Sequence, residues 1–314
     1  MLKILFMGTP DFAEMSLRAL VENGQNVVGV FTQPDKQKGR GMKVQISDVK
    51  RYALEKELPV YQPETLKDGA VKELLEELCP DIIVVVAYGK ILPEYVLGFP
   101  KYGCINVHGS LLPEYRGASP IQRAVIDGKK VTGVTTMYMD KGLDTGDILL
   151  TKEYEIGENA NTGEVFDDLA KLGAELLLET LDGLEKESIT PVPQDSSVAT
   201  YAEKIFKEEC AVSFDETAQT VHNKIRGLYP FPGALCYHDG KLLKLCESRV
   251  YKDKAPEGKC GEVVGLSKDG ILVKCREGAV LLTRVKPEGK GEMNASDLIN
   301  GRKISMGDVL SPTL

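Results

Sequence analysis

The sequence is short of the features that mark several common functions. It has three histidines, His108, His222 and His238, so imidazole chemistry has few possible carriers. The seven cysteines are an odd number, scattered from Cys79 to Cys275 with no Cys-x-x-Cys pair. That argues against a disulfide framework or a zinc ribbon and fits a reducing compartment. No long apolar run is present. The longest, Ile82 to Tyr88, is far short of the ~20 residues a membrane helix needs. The opening Met1–Met7 turns at once into Gly8-Thr9-Pro10-Asp11, too short for a secretory apolar region and without a cleavage pattern. A cytoplasmic protein with no membrane partner is therefore expected. Positive charge is also lacking: 39 Lys+Arg stand against 47 Asp+Glu, a net charge of -8. Taken alone, that balance argues against a nucleic-acid partner.

What remains is an ordinary globular mixture, 42% hydrophobic and 27% charged, without repeats or low-complexity tracts. The length of 314 residues is enough for two domains. Lys3 to Met7 reads as a buried strand ending in Gly8. Thr9 is then expected to cap a helix with Pro10 in its first position. Val27–Phe31, Asp81–Ala87 and Gly103–Val107 continue as strands, the second with the unbroken hydrophobicity of a buried parallel strand. Helical stretches lie between them at roughly 48–57, 68–78 and 118–127. Two more strands, 131–140 and 147–154, flank a tight loop, and Thr162–Leu184 is a long amphipathic helix. The alternation predicts an α/β fold with a Rossmann-like doubly wound sheet.

The chain then becomes rich in Pro, Ser, Thr and Gln without periodicity, which reads as a linker at 190–207 between a first domain at 1–189 and a second at 208–314. Beyond it come a helix near 215–226 and short strands near 234–237, 241–250, 259–265, 270–275 and 279–285. That pattern predicts a small OB-like β-barrel.

A dinucleotide site is excluded at the first turn. Gly8-Thr9-Pro10-Asp11-Phe12-Ala13 has one glycine where the pyrophosphate fingerprint needs three, and Asp11 would sit where phosphate belongs. Unusual residues concentrate instead in Asn106-Val-His-Gly-Ser-Leu-Leu-Pro-Glu-Tyr-Arg-Gly117, which follows a strand where open sheets place their ligands. Asn106 and His108, two apart on a strand, share a side. One offers an amide donor suited to a developing oxyanion, the other a proton carrier active near neutral pH. A second candidate is the loop Lys141-Gly-Leu-Asp-Thr-Gly-Asp147, where a carboxylate held by flanking glycines could orient a histidine. Composition does not choose among Asp140, Asp144 and Asp147.

Asn106-x-His108, Ser110-Leu-Leu-Pro113, Arg116-Gly117, Pro120-Ile-Gln122 and Gly142-Leu-Asp-Thr-Gly-Asp147, taken in order, resemble the folate-dependent formyltransferases. Phe6–Ala13, Gln33-Pro-Asp35, Gly39-Arg-Gly41 and Ala87-Tyr-Gly89 resemble the branch whose acceptor is methionyl-tRNA, and the likeness extends through the second domain. Glu114-Tyr115 and the stretch around Lys36-Gln-Lys38 depart from the commoner forms, so phosphate contacts near Glu114 are not carried over.

The resemblance implies an enzyme that moves the formyl group of 10-formyltetrahydrofolate to the α-amine of methionine on initiator tRNA, in translation initiation. It makes Asn106, His108 and Asp144 the catalytic residues. Asn106 and protonated His108 would stabilise an oxyanion, and His108 held by Asp144 would move protons. Ser110, Leu111, Leu112 and Pro113 would form part of the folate cleft, with Ile91 and Leu92 as an apolar wall. No metal is required, and a monomer is expected. Two other readings stand beside it: formyl transfer to an amino sugar nucleotide or to glycinamide ribonucleotide, and a non-catalytic RNA-binding protein on the same fold.

Charge distribution then qualifies the total. Residues 33–51 carry six Lys/Arg against two Asp, net +4. Within this stretch the resemblance assigns tRNA contacts to Lys36, Lys38, Arg40 and Lys43. Residues 208–314 balance at +1, while 1–207 sum to -9. The second domain can therefore present a less repulsive face to phosphates. Lys224, Arg226, Lys241, Lys244 and Arg302 are its open candidates. His222 and His238 read as structural or surface residues.

Overall fold

The computed structural model of the chain describes residues 1–38 and 43–313, with the backbone alone for 36–38, 43 and 44. The chain forms two compact units, one of 1–117, 132–154 and 166–201, the other of 118–131, 155–165 and 202–314. The units interleave rather than following a single cut, and the expected linker divides after Tyr201. Its first half is not bare connecting chain. Val192 and Ile148 exchange backbone hydrogen bonds of 2.8 and 2.9 Å, and Gln194, Ser196 and Thr200 bond into the first unit through polar groups. A segment held in this way needs no apolar periodicity.

In chain order the elements are β1 (Lys3–Gly8), α1 (Asp11–Glu22), β2 (Asn26–Phe31), β3 (Lys36–Lys38), β4 (Lys43–Gln45), α2 (Asp48–Glu55), β5 (Val60–Tyr61), α3 (Lys72–Leu78), β6 (Ile82–Val86), α4 (Glu94–Leu97), β7 (Cys104–His108), β8 (Arg116–Gly117), α5 (Pro120–Ile126), β9 (Val131–Tyr138), β10 (Ile148–Glu155) and α6 (Thr162–Glu185). They continue with β11 (Tyr201–Ala202), α7 (Ala218–Leu228), β12 (Ala234–His238), β13 (Lys241–Val250), β14 (Val263–Ser267), β15 (Gly270–Lys274), β16 (Ala279–Pro287), β17 (Met293–Asn294) and α8 (Ala295–Asn300).

The first unit is built on a seven-stranded sheet in the order β10-β9-β7-β6-β1-β2-β5. β7, β6, β1, β2 and β5 run parallel, and β9 runs antiparallel to β7. Because β1 is followed by β2 on one side and paired with β6 on the other, the winding reverses between β1 and β6. This opens a crevice at the carboxyl ends of the strands. Ile82–Val86 are all buried, as the continuous apolar run requires of a central parallel strand. Leu5, Met7, Ile83, Val85 and Leu75 pack in one cluster on the sheet.

One detail differs from expectation. The N-cap of α1 is Pro10, not Thr9, and the Asp11 carboxylate accepts the Phe12 N–H. The Thr9 hydroxyl instead donates to Tyr88 O at 3.2 Å and accepts the Gln33 N–H. Gln33 Nε2 also donates to Tyr88 O. Thr9 is therefore used to tie the carboxyl ends of β1, β2 and β6 together.

The second unit carries the antiparallel order β12-β13-β16-β15-β14, with β17 on β16. Tyr237 of β12 bridges Ser311, and Glu262, next to β14, bridges Val309. The C-terminal residues thus join the two edges and close the small barrel, which leaves no long unpaired edge. α7 begins at Thr217, whose side chain accepts the Thr220 N–H. It buries Val221, Ile225 and Leu228 against Leu243, Val263, Val273 and Leu282. The hairpin β3–β4 and the short elements α4, β17 and α8 carry too few residues to show periodicity. Among the described residues no helix is long and apolar enough to cross a membrane.

Candidate active site

The parallel ladder of β6 and β7 pairs Val85 with Asn106, and on the other side His108 stands opposite Thr135 of β9. Side chains alternate across a strand, so Asn106 and His108 emerge on the same face of β7 at its carboxyl end. Asn106 is half-buried, and its carboxamide has no hydrogen-bond partner among the described residues. His108 is 6% exposed. Its Nε2 lies 3.0 Å from Tyr115 O, and its Nδ1 lies 3.7 Å from Asp144 Oδ2. Both neighbours are acceptors. A neutral imidazole carries one N–H and serves only one of them, whereas the imidazolium offers a donor to each. The distance to Asp144 is longer than a hydrogen bond, so Nδ1 is the less tightly held nitrogen.

The Gly142–Asp147 loop resolves the choice among its acids. Asp140 accepts the Gly142 N–H at 2.9 Å and the Thr145 hydroxyl at 2.7 Å, and so shapes the turn. Asp147 contributes its carbonyl to the Tyr138 N–H. Asp144 is the one of the three that faces His108. It has φ 53, a left-handed conformation that aspartate tolerates better than most residues. Its Oδ2 also accepts the Gly117 N–H at 2.8 Å.

A residue with no signal in the sequence completes the arrangement. Gln194, in the aperiodic stretch expected as a linker, donates Nε2 to Asp144 O at 3.0 Å and to Gly146 O at 2.7 Å. Its Oε1 accepts from Arg116 Nε at 3.1 Å and Nη2 at 2.8 Å. Arg116 is 1% exposed. Thr135 is a second such residue: Oγ1 donates to Ser110 O at 2.7 Å and accepts the Leu112 N–H at 3.2 Å.

The residues expected to line a folate cleft fall into different environments. Ser110 is fully buried, and its hydroxyl donates to Glu114 O at 2.6 Å. Leu112 is buried, while Leu111 and Pro113 are half-buried. Leu92 belongs to the core of the first unit; Ile91 is exposed. Of the residues expected to contact RNA, Lys36, Lys38 and Lys43 lie on the β3–β4 hairpin, where Lys38 pairs with Lys43. Arg40 lies outside the described residues.

In the second unit, several basic candidates are committed to packing. Lys224 Nζ donates to Ala211 O, Lys244 Nζ to Pro232 O, and Arg226 Nη1 to Ala160 O. His222 is buried between Ser248 Oγ and Glu158 O, and burial holds its imidazole below the ordinary range. His238 pairs with Asp308 at 2.9 Å. Among the described residues no group of three or more His, Cys, Asp or Glu side chains is placed to hold a metal ion.

Comparison with known proteins bears on both units. The formyl transferase family profile matches residues 2–181, and the profile of the formyl transferase C-terminal domain matches 204–303. The methionyl-tRNA formyltransferase of Caldanaerobacter subterraneus subsp. tengcongensis is 48% identical over 310 residues, covering 98% of this chain and 100% of the relative. That of Desulforamulus reducens is 45% identical over 309 residues, covering 98% of each. HypX from Aquifex aeolicus, solved in complex with tetrahydrofolic acid, shares the fold with a TM-score of 0.63 at 20% identity, over 95% of this chain and 47% of that one. So does the N-formyltransferase of Helicobacter canadensis, with a TM-score of 0.66 at 17% identity, over 90% of this chain and 99% of that one. With both parts matched and near-half identity along almost the whole length, the chain belongs to the formyl transferase family, in its methionyl-tRNA formyltransferase branch.

Proposed function

We propose that this chain transfers the formyl group of 10-formyltetrahydrofolate to the α-amine of methionine on initiator tRNA. The observation that carries the reading is the convergence of Asn106, His108 and Asp144 at the carboxyl end of β7. The family relationship of the whole chain supports it. The donor, when bound, supplies an N-formyl carbonyl that the amine attacks. The unspent carboxamide of Asn106 fits such a carbonyl, because its N–H groups can strengthen their bond as negative charge builds on the oxygen. Loss of one such donor costs roughly 10²–10³ in kcat. His108 adds positive charge beside the same oxygen, and Asp144 holds that charge in place. An acylated amine must lose a proton and the departing nitrogen must gain one. His108 Nδ1 is the nitrogen free enough to exchange it.

Leu111 and Pro113 offer the remaining accessible apolar surface beside the site for a flat ring, and Ile91 is the exposed member of its pair. Ser110 and Leu112 hold that segment in shape through Glu114 and Thr135. Lys36, Lys38, Arg40 and Lys43 are the proposed contacts to tRNA phosphates, on an otherwise acidic first half. The protein is read as a cytoplasmic monomer that uses no metal.

The test is transfer of labelled formyl from 10-formyltetrahydrofolate to charged initiator tRNA, with an amino sugar nucleotide and glycinamide ribonucleotide as competing acceptors. Transfer to tRNA alone is expected, and none with active substrates would end the reading. His108→Ala should lose turnover while still binding tRNA, and Asn106→Ala should lower kcat with little change in either KM. For a non-catalytic RNA-binding protein, by contrast, His108→Ala would leave cellular function untouched.

A further inference from the structure

The Asp144 loop is held from behind by Gln194, which Arg116 holds in turn. Gln194 spans Arg116 on one side and the loop backbone on the other. The orientation of its amide follows from the partners. A guanidinium only donates, so Oε1 must face Arg116, and carbonyls only accept, so Nε2 must face Asp144 O and Gly146 O. All four bonds are thereby satisfied in one orientation. Arg116 is in turn locked by burial, by Ser196 Oγ at 3.4 Å, and by its backbone N–H on Thr200 O at 2.9 Å. The two carbonyls that Gln194 grips belong to the peptide units 144–145 and 146–147, which leave Asp144 on its C-terminal side. The next residue after Arg116, Gly117, gives its N–H to the Asp144 carboxylate. Backbone and side chain of Asp144 are therefore both referred to one short segment, 116–117.

We infer that Arg116 and Gln194 are positioning residues that set the Asp144 carboxylate toward His108, so that Gln194 acts on turnover only through Asp144. This rests on the catalytic reading of Asp144 given above. Without the amide, the left-handed Asp144 loop loses both of its ties to the 190–201 segment, and the 3.7 Å approach to His108 is no longer enforced. A misplacement of about 1 Å is enough to cost roughly 10²-fold in rate.

The experiment is a double-mutant cycle of Gln194→Met and Asp144→Asn, read by single-turnover formylation of charged tRNA in the full chain. Gln194→Met should lower the rate by about 10-fold to 100-fold in the native background and leave both KM values within about twofold. In the Asp144→Asn background it should cost less than about twofold, since the two residues act on one path. The same factor in both backgrounds, or a loss carried by KM, would overturn the inference. The position of the carboxylate is read separately from the amide resonance of Gly117, which should move in Gln194→Met; an unmoved resonance also overturns it. If Gln194→Met does not fold, Gln194→Glu replaces it. That variant keeps an acceptor for Arg116 but turns a carboxylate oxygen toward two carbonyls, and the same outcomes apply. Asp144→Asn alone separates the two claims. Full activity there removes the catalytic reading and this inference with it, whereas a large Asp144 effect without coupling to Gln194 removes the inference only.

Discussion

Asp144→Asn removes a charge and almost nothing else. Asparagine has the size of aspartate, and its Oδ1 can still accept the Gly117 N–H that Asp144 Oδ2 accepts at 2.8 Å. The loss is the attraction between a carboxylate and an imidazolium 3.7 Å apart. At that distance two unit charges interact by about 1 kcal/mol in a water-like medium and by about 4 kcal/mol at an effective dielectric constant near 20. Side-chain exposure is 6% for His108 and 14% for Asp144, so the larger figure is the better guide. If His108 bears its positive charge in the transition state, kcat should fall by roughly 10²- to 10³-fold. The melting temperature should move by no more than about 2 °C, because no packing is lost. Initial rates of labelled formyl transfer at saturating tRNA, with calorimetry on the same preparation, measure both. A kcat within about threefold of the parent would refute the argument, since the separation and burial leave no room for so small an electrostatic effect. A loss accompanied by a collapse in melting temperature would show Asp144 to be a structural brace.

Gly146→Ala tests the loop from its backbone side. An added Cβ would run into the main-chain carbonyl of Tyr138, so stability should drop by about 1–3 kcal/mol and kcat should fall with it; an unchanged melting temperature contradicts the packing described. His222 gives an acid dependence. Burial holds its folded imidazole below the unfolded value of 6.5, so the unfolded chain takes up the proton first, and stability falls as the pH drops below about 6.5 toward the folded value. His222→Gln should flatten that part of a melting-temperature-against-pH curve, and equal slopes would sink the assignment. Arg40→Leu should raise the KM for tRNA with little effect on kcat, and native KM should rise with salt, with a slope reduced by about one unit in the variant. A salt-independent KM counts against phosphate contact.

The legible parts of this chain are those where one residue type has one physical use. The apolar run of β6 and the amphipathic length of α6 announce their elements, because burial on both faces or on one stripe leaves a period in the sequence. Asn106 and His108 were legible for the same reason: they occupy one strand, and a spacing of two puts them on one face whatever surrounds them. Thr9 misleads because a hydroxyl before a helix has two uses. Here it ties strand ends together, while Pro10 and Asp11 start α1. Gln194 could not be found at all, because its role consists of four hydrogen bonds to residues about 50 and 78 positions away.

The sequence alone therefore determined the alternating α/β first half, the short-stranded second part, the scarcity of imidazole, and a basic stretch hidden by a net charge of -8. These depend on composition and on local periodicity, which each segment carries within itself. Residue types left Asp140, Asp144 and Asp147 open and the family resemblance pointed to Asp144; only the tertiary structure gives its distance to His108, and shows that Ser110 braces its loop from a fully buried position and that the expected linker holds the Asp144 loop. Those outcomes depend on the direction of single side chains across elements far apart in the chain, and the choice is made when the strands pack.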